Sequence, residues 1–145
     1  MSQTVTVIDY GIGNLLNTVR ALEHCGATVR VTAQASPEDL QSDRLVLPGV
    51  GAFGDGMVEL RARGFDDLAL RFVATGRPFL GVCVGMQMLF DASEEMGEHA
   101  GLGLLAGRVV AVPPTGVDGQ PHHVPHIGWR RLQPVAPWDG TIFQD

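Results

Sequence analysis

Five residues, Gly81-Val82-Cys83-Val84-Gly85, constrain this chain more than any other stretch. They interrupt an apolar run that begins at Pro78-Phe79-Leu80 and resumes as Met86-Gln87-Met88-Leu89-Phe90. Residues 79–82 read as a short buried strand, and Met86, Met88, Leu89 and Phe90 recur at the spacing of one helix face. The frame between them is predicted to be a sharp strand-to-helix turn. Its central residue takes a strained backbone conformation, and small neighbours let the chain double back. Cys83 then stands exposed at the carboxyl end of a strand and at the positive end of the following helix, which favours thiolate over thiol. A free cysteine is most often a small buried hydrophobe. The glycine frame after an apolar strand favours the nucleophile instead.

The rest of the chain supplies the setting. Residues 4–9 form a β-branched strand ending at Tyr10-Gly11-Ile12-Gly13-Asn14, and Leu15, Leu16, Val19 and Leu22 run at helical spacing until Gly26. Residues 29–32 give a second strand, and Ser36-Pro37-Glu38-Asp39 starts a short helix with a serine cap and proline in its first position. Leu45-Val46-Leu47 gives a third strand that enters a glycine-rich loop over residues 48–56, followed by helices over 57–63 and 65–74. Beyond residue 95, strands are expected over 108–112 and 127–132, the second antiparallel to the first, with a proline-bearing loop over 113–125 between them. Alternating strands and helices imply an α/β fold, a mostly parallel flavodoxin-like sheet with helices on both faces. In such a sheet the loops after Asp9, after Leu47 and at Cys83 converge at the carboxyl ends of the strands, where sites form.

Composition narrows the function classes. At 145 residues with 45% apolar content, the chain is expected to be one domain, 1–145. A net charge of −6 without a basic cluster argues against nucleic acid and anionic membrane as partners. No apolar run approaches the length of a membrane span, and residues 4–8 read as a strand rather than a signal segment. Two cysteines, Cys25 and Cys83, indicate no disulfide framework, which fits the cytoplasm.

Several side chains carry candidate chemistry. Gly11-Ile12-Gly13 lacks the third glycine of a dinucleotide fingerprint, since Leu16 stands there, and no cofactor is expected. The loop over 48–56 exposes backbone N–H groups under small residues, the composition of an anion nest or an oxyanion hole beside a nucleophile. His122, His123 and His126 cluster in sequence but lack the ligand set of a metal site, and no metal is expected. Ser93-Glu94-Glu95 reads either as a solvated acidic end or as a carboxylate that holds a substrate ammonium.

Four stretches together resemble the class I glutamine amidotransferases, and among them the glutaminase subunits of imidazole glycerol phosphate synthase. They are Asp9-Tyr10-Gly11-Ile12-Gly13-Asn14, Pro48-Gly49-Val50-Gly51-Ala52-Phe53-Gly54-Asp55, Gly81-Val82-Cys83-Val84-Gly85-Met86-Gln87 and Val124-Pro125-His126-Ile127-Gly128-Trp129. The resemblance implies that Cys83 attacks the side-chain amide of glutamine, releases ammonia and forms a glutamyl thioester that water cleaves. It implies an oxyanion hole from the backbone of Val50, Gly51 and Val84, and a glutamine grip from Gln87 and Glu95. It also implies a heterodimer with a (β/α)8 synthase subunit in histidine biosynthesis that receives the ammonia, with Asn14, His126 and Trp129 near the partner's face. The rival readings are a non-catalytic flavodoxin-like binding module and an amidotransferase serving another acceptor.

One departure from the pattern bears on activity. The family's histidine base and its glutamate lie in a His-Pro-Glu motif toward the carboxyl end, and no His-Pro pair occurs in these 145 residues. The chain is therefore expected to be a family member truncated at its carboxyl end, with its last strands missing and an unpaired sheet edge. Losing a base costs several orders of magnitude. Ammonia release from glutamine by these residues is expected to stay at background, in a coupled glutamate assay, even with the barrel subunit added; robust turnover would reveal a base elsewhere in the chain.

Overall fold

A computed structural model describes residues 3–125, 127–129 and 131–140. The chain divides into two compact units, Met1–Ala111 and Val112–Asp145. The first holds a four-stranded sheet in the order β2-β1-β3-β4, formed by β1 (Thr4–Ile8), β2 (Thr28–Thr32), β3 (Arg44–Gly49) and β4 (Phe79–Cys83). All its pairings are parallel. The order is flavodoxin-like, and the parallel pairing is what the alternation of strands and helices predicts.

Each sheet face has its own cover. On one, Val5, Val7 and Val46 pack against Leu15 and Leu22 of α1 (Leu15–His24). On the other, Ile8, Leu45 and Leu47 meet α2 (Phe53–Ala62) and α3 (Phe65–Val73) through Phe53, Met57, Leu60, Phe65, Leu68 and Phe72. Strands covered on both faces read as continuous apolar runs rather than alternations, as Leu45-Val46-Leu47 does. The predicted cap before the second helix is present: Ser36 precedes a short 3-10 helix, Pro37–Gln41, and Asp39 accepts hydrogen bonds from the Ser36 N–H at 2.8 Å and its hydroxyl at 3.1 Å. Asp39 is fully buried, and Arg30 balances its charge.

Three expectations are corrected. The loop over 48–56 is half helix, because α2 starts at Phe53 rather than at residue 57. The helix after Cys83 is a single turn, α3's successor α4 (Val84–Gln87), and Phe90 belongs to strand β5 (Phe90–Ser93) instead of a helix face. Strand β7 occupies Leu105–Val109, three residues ahead of the predicted 108–112. Gly107 reads as a turn residue in sequence but lies inside this strand, its N–H bonded to the Asp91 carboxylate at 2.9 Å. With β6 (His99–Ala100), these strands form a second sheet in the order β6-β5-β7.

In the second unit, the described residues of 127–132 form no strand. A turn at Asp118-Gly119 is closed by a bridge between Thr115 and Pro121, and the His122 ring nitrogen Nδ1 bonds to the Pro113 carbonyl at 2.6 Å. Among the described residues no helix is long and apolar enough to cross a membrane.

Phe65 is fully buried at the start of α3. Phe65→Ala is expected to lower unfolding stability in urea by about 3–5 kcal/mol.

Candidate active site

Cys83 is the last residue of β4, paired in register with Gly49 at the end of β3. Its backbone stands at φ 56°, ψ −120°, a conformation that side-chain-bearing residues rarely adopt. Its side chain is exposed, as the glycine frame predicts. The frame is needed for contact as well as for turning. A Cβ on Gly85 would lie 1.9 Å from the Leu47 carbonyl oxygen, and one on Gly81 would lie 2.6 Å from the Met86 Cα. The elbow therefore rests directly on the backbone of β3. Met88, fully buried, anchors it from below, and its N–H bonds to the Val84 carbonyl at 2.9 Å.

The three predicted loops meet. Gly49 faces the elbow so closely that a Cβ there would come 2.5 Å from the Gly85 nitrogen. Val50 and Gly51 follow, both exposed, with Gly51 at φ +81°. The loop after β1 closes over them: a Cβ on Gly51 would touch Ile12, and one on Gly13 would touch Pro48, each at 3.7 Å. Val84 is buried at the first position of α4 and Gln87, half-buried, ends it. With only one helical turn, the elbow offers Cys83 unpaired first-turn N–H groups rather than the long helix dipole its sequence predicts.

Glu95 occupies a position the sequence does not announce. Its carboxylate accepts the Phe53 N–H at 2.7 Å, so it caps α2, whose own cap residue, Ala52, has no side-chain acceptor. Buried Ser93 holds the Glu95 N–H through its hydroxyl at 3.1 Å. Beside it, His99 packs on Gly54, where a Cβ would lie 2.7 Å from the imidazole. Glu95 thus fastens the second sheet to the exit of the Val50-Gly51 loop.

Asn14 is exposed at the start of α1, and its carbonyl accepts the Thr18 N–H at 3.2 Å. Trp129, in the second unit, is fully exposed. His126 lies outside the described residues. Among the described hydrogen bonds, none joins a histidine to Cys83. Tyr10 follows Asp9 after β1, and no pattern in the sequence assigns it a role. It is 1% exposed, and among the described residues its hydroxyl is the buried side-chain polar atom without a hydrogen-bond partner. Burial first, and the nearby charge of Cys83 second, push its pKa from 10.0 up to about 12.

A parallel sheet with an exposed cysteine on a strained elbow, and a glycine loop facing it, makes this an α/β protein with a candidate site at the carboxyl ends of its strands. The family model for class I glutamine amidotransferases matches residues 6–133. The imidazole glycerol phosphate synthase subunit HisH 1 of Legionella pneumophila (strain Lens) is 52% identical over 146 aligned positions, covering 98% of this chain and 68% of the relative. The HisH subunit of Syntrophotalea carbinolica is 46% identical over 141 positions, covering 97% and 67%. A solved structure of a Listeria monocytogenes protein described as a peptidase E superposes with a TM-score of 0.52 at 22% identity, covering 62% of this chain and 50% of that one, a likeness of fold alone. The chain belongs to the class I glutamine amidotransferases and, within them, to the HisH subunits.

Gly85→Ala is expected to cost about 3 kcal/mol or more, because the obstructing atom is backbone and cannot turn aside. It is also expected to slow alkylation of Cys83 more than that of Cys25, as read by peptide mapping. An alanine variant with unchanged stability and labelling would contradict the close packing of elbow on β3.

Proposed function

We propose that this chain is the glutaminase subunit of an imidazole glycerol phosphate synthase, the subunit that hydrolyses glutamine to glutamate and hands the ammonia to a synthase subunit for histidine biosynthesis; these 145 residues supply the nucleophile of that reaction and hold no His-Pro-Glu base, so they are inactive alone. The observation that carries this reading is the pairing of Cys83, at positive φ above β4, with Gly49 of the Pro48-Gly49-Val50-Gly51 loop. The similarity to HisH subunits over almost the whole chain supports it.

In the proposed reaction, the Cys83 sulfur attacks the carboxamide carbon of glutamine, and the carbonyl oxygen takes the electron pair. Backbone N–H groups of Val50, Gly51 and Val84 are the proposed donors to that oxyanion. Losing one such donor typically costs about a hundredfold or more in rate. Collapse of the tetrahedral species breaks the C–N bond and expels ammonia, once the nitrogen has gained a proton. Water then cleaves the glutamyl thioester and returns the thiol. Gln87 and Glu95 are the proposed grips for the α-carboxylate and α-ammonium groups of glutamine. A Glu95 oxygen already bonds to the Phe53 N–H, so in this role one carboxylate links the substrate's amino end to the oxyanion loop.

The proposed partner is a (β/α)8 synthase subunit in the cytoplasm, with Asn14, His126 and Trp129 each a proposed contact residue. A fully exposed tryptophan favours such a surface, since large aromatics are the common anchors of protein interfaces. The acceptor of the ammonia is chosen by that partner.

A glutamine-like chloroketone is expected to label Cys83 in preference to Cys25, and glutamine is expected to protect it. Cys83→Ala should abolish the label. Equal labelling of both cysteines, both of which are exposed, would sink the nucleophile assignment.

A further inference from the structure

The Tyr10 hydroxyl is buried and has no hydrogen-bond partner among the described residues. A buried hydroxyl left unpaired is costly, so native structures rarely keep one without a use. Its surroundings indicate the use. A Cβ built on Gly49 would lie 2.7 Å from this hydroxyl, 2.5 Å from the Gly85 nitrogen and 3.1 Å from the Val84 carbonyl carbon. Three groups therefore crowd one point: the tyrosine oxygen, the peptide that follows the nucleophile, and the strand end paired with Cys83. The glycine at position 49 leaves the space through which the hydroxyl reaches the elbow.

We propose that Tyr10 is a positioning residue for the nucleophile, its hydroxyl donating a hydrogen bond into the elbow when the Cys83 sulfur is ionised. The proposal rests on Cys83 being the nucleophile, but not on glutamine being the substrate. The hydroxyl keeps its proton far into the alkaline range, because burial and the charge on Cys83 both oppose its ionisation. It is therefore available as a donor wherever the thiolate exists at moderate pH. Around it, β3 contributes the Gly49 backbone, α4 the Val84–Gly85 peptide and α2 Gly56, none of them charged. Cys83 is the titrating group recorded as acting on it, and the Glu95 carboxylate at the start of α2 is bonded to the Phe53 N–H.

Tyr10→Phe removes the hydroxyl and keeps the ring. In the full chain carrying Cys25→Ser, alkylation of Cys83 by iodoacetamide is followed across pH, with and without Tyr10→Phe. At neutral pH the phenylalanine variant is expected to react more slowly by roughly tenfold or more, the size of one hydrogen bond to a charged group. The deficit is expected to vanish at alkaline pH, where the thiol ionises unaided, while the melting temperature holds or rises. Superimposable pH profiles would overturn the proposal, and so would a deficit that persists at alkaline pH, the mark of a merely disturbed elbow. Iodoacetamide does not mimic glutamine, so failure of the chloroketone to label Cys83 would count against the glutaminase reading and leave this comparison intact.

A second measurement does not need that variant to fold. Tyr10 is the one tyrosine in the chain, and all 10 residues of the Lys and Arg set are arginines. Near-ultraviolet absorbance of tyrosinate in the native protein thus reports Tyr10 alone. Burial and Cys83 together hold its titration midpoint up at about 12, and Cys83→Ala is expected to lower it by the smaller share that Cys83 supplies, because coupling between two groups is reciprocal. A midpoint unchanged by the loss of Cys83 would overturn the proposal.

Discussion

The structure depends on the contact of the elbow with the backbone of β3. Gly85 and Gly49 approach across the ends of two adjacent parallel strands with no room for a Cβ on either. Backbone packed on backbone fixes the Val50-Gly51 loop beside Cys83 without any side chain to adjust. A strained φ at Cys83, worth on the order of 1–3 kcal/mol, persists because Met88, Phe53 and Met57 pack beneath it and leave the turn no alternative. The chemistry asked of this site needs donors in place before charge develops. A rigid backbone contact supplies that more reliably than mobile side chains do.

The second sheet serves the same end by another route. β5 leaves the elbow after a single helical turn and carries the chain to Ser93 and Glu95, where the carboxylate caps α2. Because α2 begins two residues past Gly51, its N-terminus is joined directly to the proposed oxyanion loop. In the proposed grip on glutamine, Glu95 therefore reports the presence of substrate to the loop that must stabilise the transition state. Binding energy spent at the amino end of the substrate is then available for order at its amide end.

Much of this was legible in the sequence where one physical rule dominated. Strands β1 to β4 announced themselves as β-branched or apolar runs, and α1 and α3 by their period; the elbow was legible because nothing but glycine fits on either side of it. The start of α2 was not, since Gly54 and Gly56 suit a loop on propensity and become helical through contacts with His99 and Met88 and a cap supplied by Glu95 from 42 residues away. The brevity of α4 was hidden because Met88 and Leu89 serve a core at the end of one turn as well as they would serve a long helix. Tyr10 left no trace at all. A tyrosine after a strand is ordinary, and its missing partner is visible only once three loops are folded together.

Cys83 and Tyr10 share a thermodynamic character that separates them from the rest of the core. Each weakens the resting fold, one by backbone strain and the other by a buried hydroxyl with no partner among the described residues, and both approach Gly49 from different loops. The other buried polar side chains described keep the ordinary rule: Asp39 has its arginine and its cap, Thr6 and Ser42 bond to each other, and Ser93 holds the Glu95 N–H. A strained residue and an unpaired hydroxyl that both approach Gly49 are what a site looks like when stability has been exchanged for a group held ready.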